Sequence, residues 1–395
     1  MDVHAPLALL GGLSPAAFMR RHWQKAPLLV RDALPPMKPL LKPPLMPPLS
    51  RAALFALAAR DDVEARLVIR EGRQWSVKHG PLMRRALPPI NQPGWTLLVQ
   101  GVDLHVAAAR MLLNAFRFVP EVRLDDLMIS WASDGGGVGA HVDSYDVFLL
   151  QVQGRRRWRV GPAPDRSCRP GLPLKVLRRF TPTESWVLGP GDMLYLPPGW
   201  GHDGVAVGGD CMTASIGFRA PSQSGLAAEL AQRLADALAQ DAEHEPERLY
   251  VDAAQRATAA PGAIPPRLAT FAQQALMQLL REPGAIERAL GEVLSEPKPR
   301  VWFAAGAPWQ AGSAIALAAA TRLVYDERHV FINGESFRAT GTDQRLLCAL
   351  ADCRELGAKE AARFSVGARA LISAWHEQGW LVPCEPADDP MEDSR

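Results

Sequence analysis

The sequence predicts an α+β protein whose centre is an all-β barrel or sandwich. Two observations predict it. Between residues 125 and 218, short β-rich runs (DDLMISWAS, HVDSYDVFLLQVQ, RRRWRV, SWVL, DMLYLPP and CMTASIGF) alternate with Gly/Pro turns. Short strands at turn-punctuated spacing of this kind build a barrel or a two-sheet sandwich. After Pro221 the pattern changes to Ala/Leu/Glu-rich segments with helical spacing of apolar residues. A chain of 395 residues exceeds one ordinary domain, and the composition shifts place boundaries at 1–221, 222–298 and 299–395.

Along the chain, Ser14-Pro15 reads as an N-cap and first-turn proline opening a short helix. Residues 35–48 hold seven prolines and read as an extended surface loop. Ser50 caps a helix through Ala59. Strands are expected at 67–70, 74–77 and 95–99, and one helix over 104–116. Helices are expected at 225–240, 266–281 and 285–294, and a linker over 297–312. The HVFINGESF run carries an Asn333-Gly334 turn between two strands. With helical periods over 343–353 and 366–378, it suggests a small mixed unit of winged-helix type.

Composition narrows the functional classes. Hydrophobic residues at 48% and charged residues at 22% describe a soluble globular protein with a core. A net charge of +2 gives no global argument for nucleic acid or membrane binding. Residues 301–395 hold nine Lys/Arg against thirteen Asp/Glu, so strong DNA binding by this part is not expected. The five cysteines, at 168, 211, 348, 353 and 384, are odd in number, widely spaced and without a C-x-x-C pair. Reduced thiols in a cytoplasm fit better than disulfides or structural zinc. No signal-peptide pattern opens the chain, and no apolar run is long enough to span a bilayer.

The chemistry is concentrated in the β-rich third. Strand residues i and i+2 share a face, so His141 and Asp143 present an imidazole and a carboxylate together. His202 follows the turn Pro197-Pro198-Gly199-Trp200-Gly201. H-x-D with a distant His supplies two nitrogens and one oxygen, the facial triad of non-haem Fe(II) that leaves positions open for other ligands. Zinc remains a rival for the same donors. A glycine loop, GGGVG, precedes the first pair.

In RRRWRV, period 2 places Arg156, Trp158 and Val160 on one face and Arg155, Arg157 and Arg159 on the other. An arginine beside Trp and Val is interior and needs an anion, and its fork matches a carboxylate. The other three read as a solvated basic strand. In DDLMIS, Asp126, Met128 and Ser130 share one face, as a pocket wall would. Asp125, Leu127 and Ile129 share the other, which looks like packing. Tyr145 lies in phase with His141 and Asp143.

These motifs, DDLMIS, GGGVG-H-D-YDVF, GRRRWRVG, GD-LY-PPG--H-G and S-GFRAP, occur in this order over 125–221 and resemble the bacterial JmjC-domain ribosomal oxygenases. RHWQKAPLLV and WSVKHGP near the N-terminus are similar to that family too. The resemblance implies a JmjC/cupin double-stranded β-helix (jelly roll), a helical dimerisation region and a C-terminal winged-helix-like domain. It implies Fe(II) at His141, Asp143 and His202. It implies 2-oxoglutarate gripped at its distal carboxylate by Arg156 with Ser130 assisting, dioxygen as co-substrate, and substrate contacts at Asp126, Met128, Tyr145 and Ser215. It further implies hydroxylation of an arginine, at the β-carbon, in a large-subunit ribosomal protein, by a homodimer. The sequence departs from the family pattern at VAVGGDCMTAS, which is glycine-rich and carries Thr213-Ala214.

Two rivals stand beside this reading: an oxygenase of the same kind acting on a histidyl or other residue, and a non-catalytic metal-binding cupin scaffold. An interior Arg156 argues against the scaffold, which needs no anion clamp. Acidic Asp126 beside aromatic Tyr145 suits a guanidinium.

Overall fold

The computed structural model describes residues 1–34, 48–72, 74–241 and 249–383. The proline-rich 35–48 segment lies almost wholly outside the described residues, as does Cys384. The chain separates into two compact units, Met1–Ala220 and Pro221–Arg395.

The first unit opens with helix α1 (Pro15–Arg21), where the Ser14 Oγ accepts from the Ala17 N–H at 3.2 Å as the predicted cap. Strand β1 (Leu28–Val30) follows, then α2 (Arg51–Ala58), capped by Ser50. Next come β2 (Ala65–Glu71), β3 (Gln74–His79) and β4 (Trp95–Val99). The single helix expected over 104–116 is two, α3 (Val102–His105) and α4 (Ala107–Asn114). Val106 between them is extended, at φ −131° and ψ 115°. The Asp103 carboxylate accepts from the Leu127 N–H at 2.9 Å and ties α3 to the barrel, a tertiary contact that helical periodicity does not reveal.

The barrel strands are β5 (Leu124–Ala132), β6 (His141–Val142), β7 (Val147–Pro162), β8 (Glu184–Leu188), β9 (Met193–Leu196) and β10 (Trp200–Phe218). They join one ten-stranded sheet of order β1-β9-β7-β10-β5-β4-β2-β3, with β6 pairing β10 and β8 pairing β7. Every neighbouring pair is antiparallel.

The Gly154 break between the HVDSYDVFLLQVQ and RRRWRV runs, a turn in the sequence pattern, is instead an irregularity inside one long strand, β7. Opposite it, β10 carries the glycine-rich departure as a bulge: Gly208, Gly209 and Asp210 all have positive φ, and the register shifts between Val207 and Met212. A Cβ on Gly154 would sit 2.7 Å from the Asp210 carbonyl oxygen, so only glycine fits this close approach. The Asp210 carboxylate ties the bulge down, accepting from Trp131 Nε1, Gln153 Nε2 and Arg51 Nη1, each at 2.8 Å. The departure therefore shapes the sheet and leaves Ser215 in register with Met128.

The core of this unit stacks Phe18, Phe148 and Tyr195 on one side and Phe55, Trp95 and Trp131 on the other. Within it the Asp146 carboxylate, wholly buried, accepts from the Tyr195 hydroxyl at 2.6 Å and from Gln24 Nε2 at 3.2 Å. That network joins the N-terminal segment to the start of β7, immediately after the H-x-D motif at His141 and Asp143.

The second unit contains α5 (Gln223–Asp241), α6 (Pro266–Arg281) and α7 (Ala285–Ser295). Then come β11 (Ile315–Leu317), β12 (Leu323–Tyr325), β13 (His329–Ile332), β14 (Glu335–Arg338), α8 (Gly341–Cys353), β15 (Glu355–Leu356), α9 (Ala358–Ala361), α10 (Val366–Glu377) and β16 (Leu381–Pro383). Asn333 and Gly334, at φ +50° and +92°, form the predicted hairpin turn between β13 and β14. The segment expected as a linker is packed: Trp309 is buried in the core with Ile315, Leu347 and Trp375. The backbone of α7 at Gly291 lies against the Phe331 ring, so a boundary at 298/299 falls between α7 and strands it touches.

Candidate active site

His141 and His202 are cross-strand partners on β6 and β10, with ring centroids 4.2 Å apart. Asp143 follows β6 rather than lying within it, because the strand ends at Val142. Its carboxylate still faces both rings, 3.9 Å from His141 Nε2 and 3.5 Å from His202 Nε2. The turn before His202 is fixed to this residue, with the Gly199 N–H donating to the Asp143 carbonyl at 2.9 Å. One ligand atom from each of the three side chains falls within 4.8 Å of the others.

The tautomers follow from the neighbours. His141 Nδ1 lies 2.9 Å from the Gly139 carbonyl and His202 Nδ1 3.1 Å from the Trp200 carbonyl. A carbonyl only accepts, so each Nδ1 carries the proton and each Nε2 offers its lone pair to a metal. Burial, reinforced by the neighbouring His141, pushes the His202 imidazole down to about 4. It is neutral at physiological pH, the state a metal requires. The glycine loop before His141 serves close packing rather than flexibility. A Cβ at Gly136 would collide with the Trp95 carbonyl and one at Gly137 with the Gly204 carbonyl.

The three side chains open onto a cavity of about 420 Å³. Alternation along β7 is as expected: Arg156, Trp158 and Val160 are buried and Arg155, Arg157 and Arg159 exposed. Arg156 is 5% exposed; its guanidinium lies 5.6 Å from the Trp158 ring centroid, and its one side-chain hydrogen bond among the described residues is a long one, Nη1 to the Ser130 Oγ at 3.4 Å. Its Nε and Nη2 are buried with no hydrogen-bond partner among the described residues. A buried guanidinium with two donors unsatisfied is the observation that fits an anionic cosubstrate, because such a cation is costly unless paired. A carboxylate end-on to this fork satisfies both donors.

Asp126, Met128 and Ser215 line the same cavity, as does Tyr145, which is 39% exposed. The Asp126 carboxylate accepts from the Gly101 N–H at 2.9 Å. Partial burial, with Asp143 and Asp126 nearby, pushes the Tyr145 phenol above its ordinary value. Tyr145 reaches the cavity from a bend after β6, so strand phase is not the reason it shares a cavity with His141 and Asp143. Leu127 and Ile129 pack in the core as expected, but Asp125 does not: it lines the cavity and lies 3.6 Å from Arg219. It sits near the start of β5, where the strand emerges and its outer positions reach solvent.

Sequence reasoning missed three groups. The Thr96 Oγ1, the Trp158 Nε1 and the Arg66 Nε are buried, line the cavity and lack partners among the described residues. Thr96 sits in an otherwise apolar run and read as a strand former. Trp158 read as an apolar neighbour of Arg156, although its indole N–H is a donor.

An antiparallel barrel carrying two histidines and an aspartate beside a buried arginine defines an Fe(II)- and 2-oxoglutarate-dependent oxygenase. The chain belongs to the JmjC-domain ribosomal oxygenases. Its residues 111–226 match the JmjC domain and residues 273–382 the ROXA-like winged helix. It is 33% identical over 288 residues to the ribosomal protein uL16 3-hydroxylase of Escherichia coli K12, covering 71% of each chain. Among solved structures it is similar to E. coli YcfD, with 29% identity and a TM-score of 0.77 over 92% of this chain and 96% of that one. It is also similar to YcfD, a ribosomal oxygenase, in complex with cobalt and 2-oxoglutarate, with 29% identity and a TM-score of 0.75 over 94% and 98%. The non-catalytic scaffold is set aside by these findings.

Proposed function

We propose that this enzyme hydroxylates the β-carbon of an arginine in a large-subunit ribosomal protein. In this reading His141, Asp143 and His202 hold Fe(II), and Arg156 with Ser130 holds 2-oxoglutarate. The observation that carries it is the single cavity that gathers all nine residues named from the sequence. The name of the E. coli relative, a uL16 3-hydroxylase, supports the choice of substrate and carbon.

Bound iron with 2-oxoglutarate and dioxygen supplies the oxidant for a C–H bond. The protein contributes placement. Its two imidazoles and carboxylate would hold the iron at the cavity wall. Arg156 would hold the far end of the cosubstrate and so orient it in the cavity. Asp126 pairs with the substrate guanidinium and Tyr145 stacks on it at the mouth, while Met128 and Ser215 bound the channel. Pinning a long side chain at its tip selects one C–H bond for an otherwise indiscriminate oxidant.

Asp126→Asn tests the assignment cleanly, because the amide oxygen can still accept from the Gly101 N–H while the charge is lost. A charge-assisted hydrogen bond contributes about 1.5–3 kcal/mol, so kcat/KM should fall roughly ten- to a hundredfold with cosubstrate affinity unchanged. Tandem mass spectrometry of a peptide from the ribosomal target should show one added oxygen on arginine. Oxygen on a histidine, with arginine untouched, would assign the enzyme to histidyl hydroxylation.

The three-part organisation, 1–221, 222–298 and 299–395, is part of the proposal, with 222–298 as the dimerisation region. On α6 the apolar side chains Leu268, Leu276, Met277 and Leu280 are all exposed, and no residue of that helix is buried. An amphipathic helix with an open apolar face calls for a partner, and a second copy supplies one. Light scattering at micromolar concentration should give a dimer mass, and Leu276→Asp with Leu280→Asp should give a monomer; a wild-type monomer would end the idea. The acidic balance of 301–395 weighs against strong DNA binding. No described helix is long and apolar enough to cross a membrane, and the free cysteines suit a reducing cytoplasm.

A further inference from the structure

Charge in this chain is unevenly divided. Residues 1–220 hold 27 Lys/Arg against 18 Asp/Glu, and residues 221–395 hold 17 against 24. The excess is sharpest over 155–182, with nine Lys/Arg and one acid, Asp165. Part of this stretch forms a second cavity of about 320 Å³, lined by Arg70, Arg159, Arg169 and Arg178 with Trp75 and Phe180. It lies beside the catalytic one: β2, the 137–143 segment and the 174–178 segment contribute residues to both.

The four cations differ in their freedom. Arg159 is ion-paired with Asp203. Arg70 lies over the Trp75 ring at 5.4 Å. Arg169 and Arg178 have no carboxylate within ion-pair distance among the described residues. A solvated basic face has no need of concavity or aromatic walls. Three available guanidinium groups around two part-exposed rings match a nucleic-acid strand, whose phosphates pair with arginine and whose bases stack on aromatics.

We propose that this cavity binds the phosphate backbone of single-stranded ribosomal RNA flanking the protein target. The choice of ribosomal RNA rests on the proposed function above. A cationic ribosomal segment that brings a guanidinium to Asp126 is repelled by this cavity, whereas the RNA it accompanies is attracted. The two adjoining cavities then divide a ribonucleoprotein by charge.

Anisotropy of the full-length protein with a labelled single-stranded RNA dodecamer tests binding without turnover. Three phosphate contacts predict a slope of log K against log salt of about −2. Arg169→Glu with Arg178→Glu should weaken binding at least about tenfold at low salt, and Trp75→Ala should weaken it less. Hydroxylation of a short peptide by these variants should stay at the wild-type level. No salt-dependent binding, or equal binding by the charge-reversed protein, overturns the site. Cross-linking of the full-length protein in cells should recover large-subunit ribosomal RNA. Recovery of other RNAs in proportion to their abundance, or full displacement by inorganic phosphate at equal phosphate concentration, overturns the assigned occupant. Because the RNA measurements need no turnover, failure of the hydroxylation reading shows separately, as a peptide left unmodified by wild-type enzyme.

Discussion

Alanine at His141 or Asp143 is expected to abolish Fe(II)-dependent succinate formation while the protein stays folded. Each is one of the three donors proposed for the iron, and a facial triad reduced to two loses both affinity and the orientation of its open positions. Even losing an outer hydrogen bond to a ligand typically costs about 10–100-fold in metal affinity or activity, so deleting a ligand should exceed that. The fold should survive because the side chains of His141 and Asp143 are 26% and 20% exposed on the cavity wall. His202 differs: its side chain is 3% exposed, with its ring centroid 5.9 Å from that of Trp158. His202→Ala should therefore lower both metal affinity and melting temperature, whereas His141→Ala should lower only the first. Metal content by elemental analysis, thermal melts and succinate assays separate the effects. Turnover by a His141→Ala, His202→Ala double variant would refute the ligand set.

The grouping of His141, Asp143 and His202 and the inward turn of Arg156 were legible because each is a local pattern read against strand geometry. H-x-D is two residues long, and alternation in RRRWRV needs only period 2. Neighbouring patterns misled where tertiary contacts override local signals. Gly154 looks like a turn in sequence, but the close approach of Asp210 makes it a pinch within one strand. Residues 104–116 have one helical period, yet Val106 is extended and Asp103 is anchored to the Leu127 N–H. The segment over 297–312 is rich in glycine and proline and read as a linker, yet it delivers Trp309 to a core. Thr96 escaped notice because β4 lies far from the motifs in sequence and reaches the cavity only through pairing with β5. The basic cavity escaped for a related reason: its arginines come from β2, β7 and the loop after it, and a net charge of +2 conceals them.

Arg156→Ala should remove 2-oxoglutarate binding with little change in iron binding. The side chain is 5% exposed, and its Nε and Nη2 have no partner among the described residues, so the folded protein already carries the cost of an unpaired buried cation. A cosubstrate carboxylate relieves that cost and gains two charge-assisted hydrogen bonds. Removing one member of a buried pair costs about 3–5 kcal/mol, or roughly a hundred- to a few-thousandfold in affinity. Arg156→Lys keeps the charge but loses the fork, so it should recover part of the affinity. Ser130→Ala should have a smaller effect, since its 3.4 Å contact with Nη1 is long. Anaerobic calorimetric titration of 2-oxoglutarate into the manganese-loaded protein measures these without turnover. Arg155→Ala and Arg157→Ala are the controls: both side chains are exposed on the opposite face of β7. Comparable losses from all three substitutions would mean that the strand's summed charge, rather than one buried fork, attracts the cosubstrate. A selective loss at Arg156 follows only if alternation along β7 turns this one arginine inward.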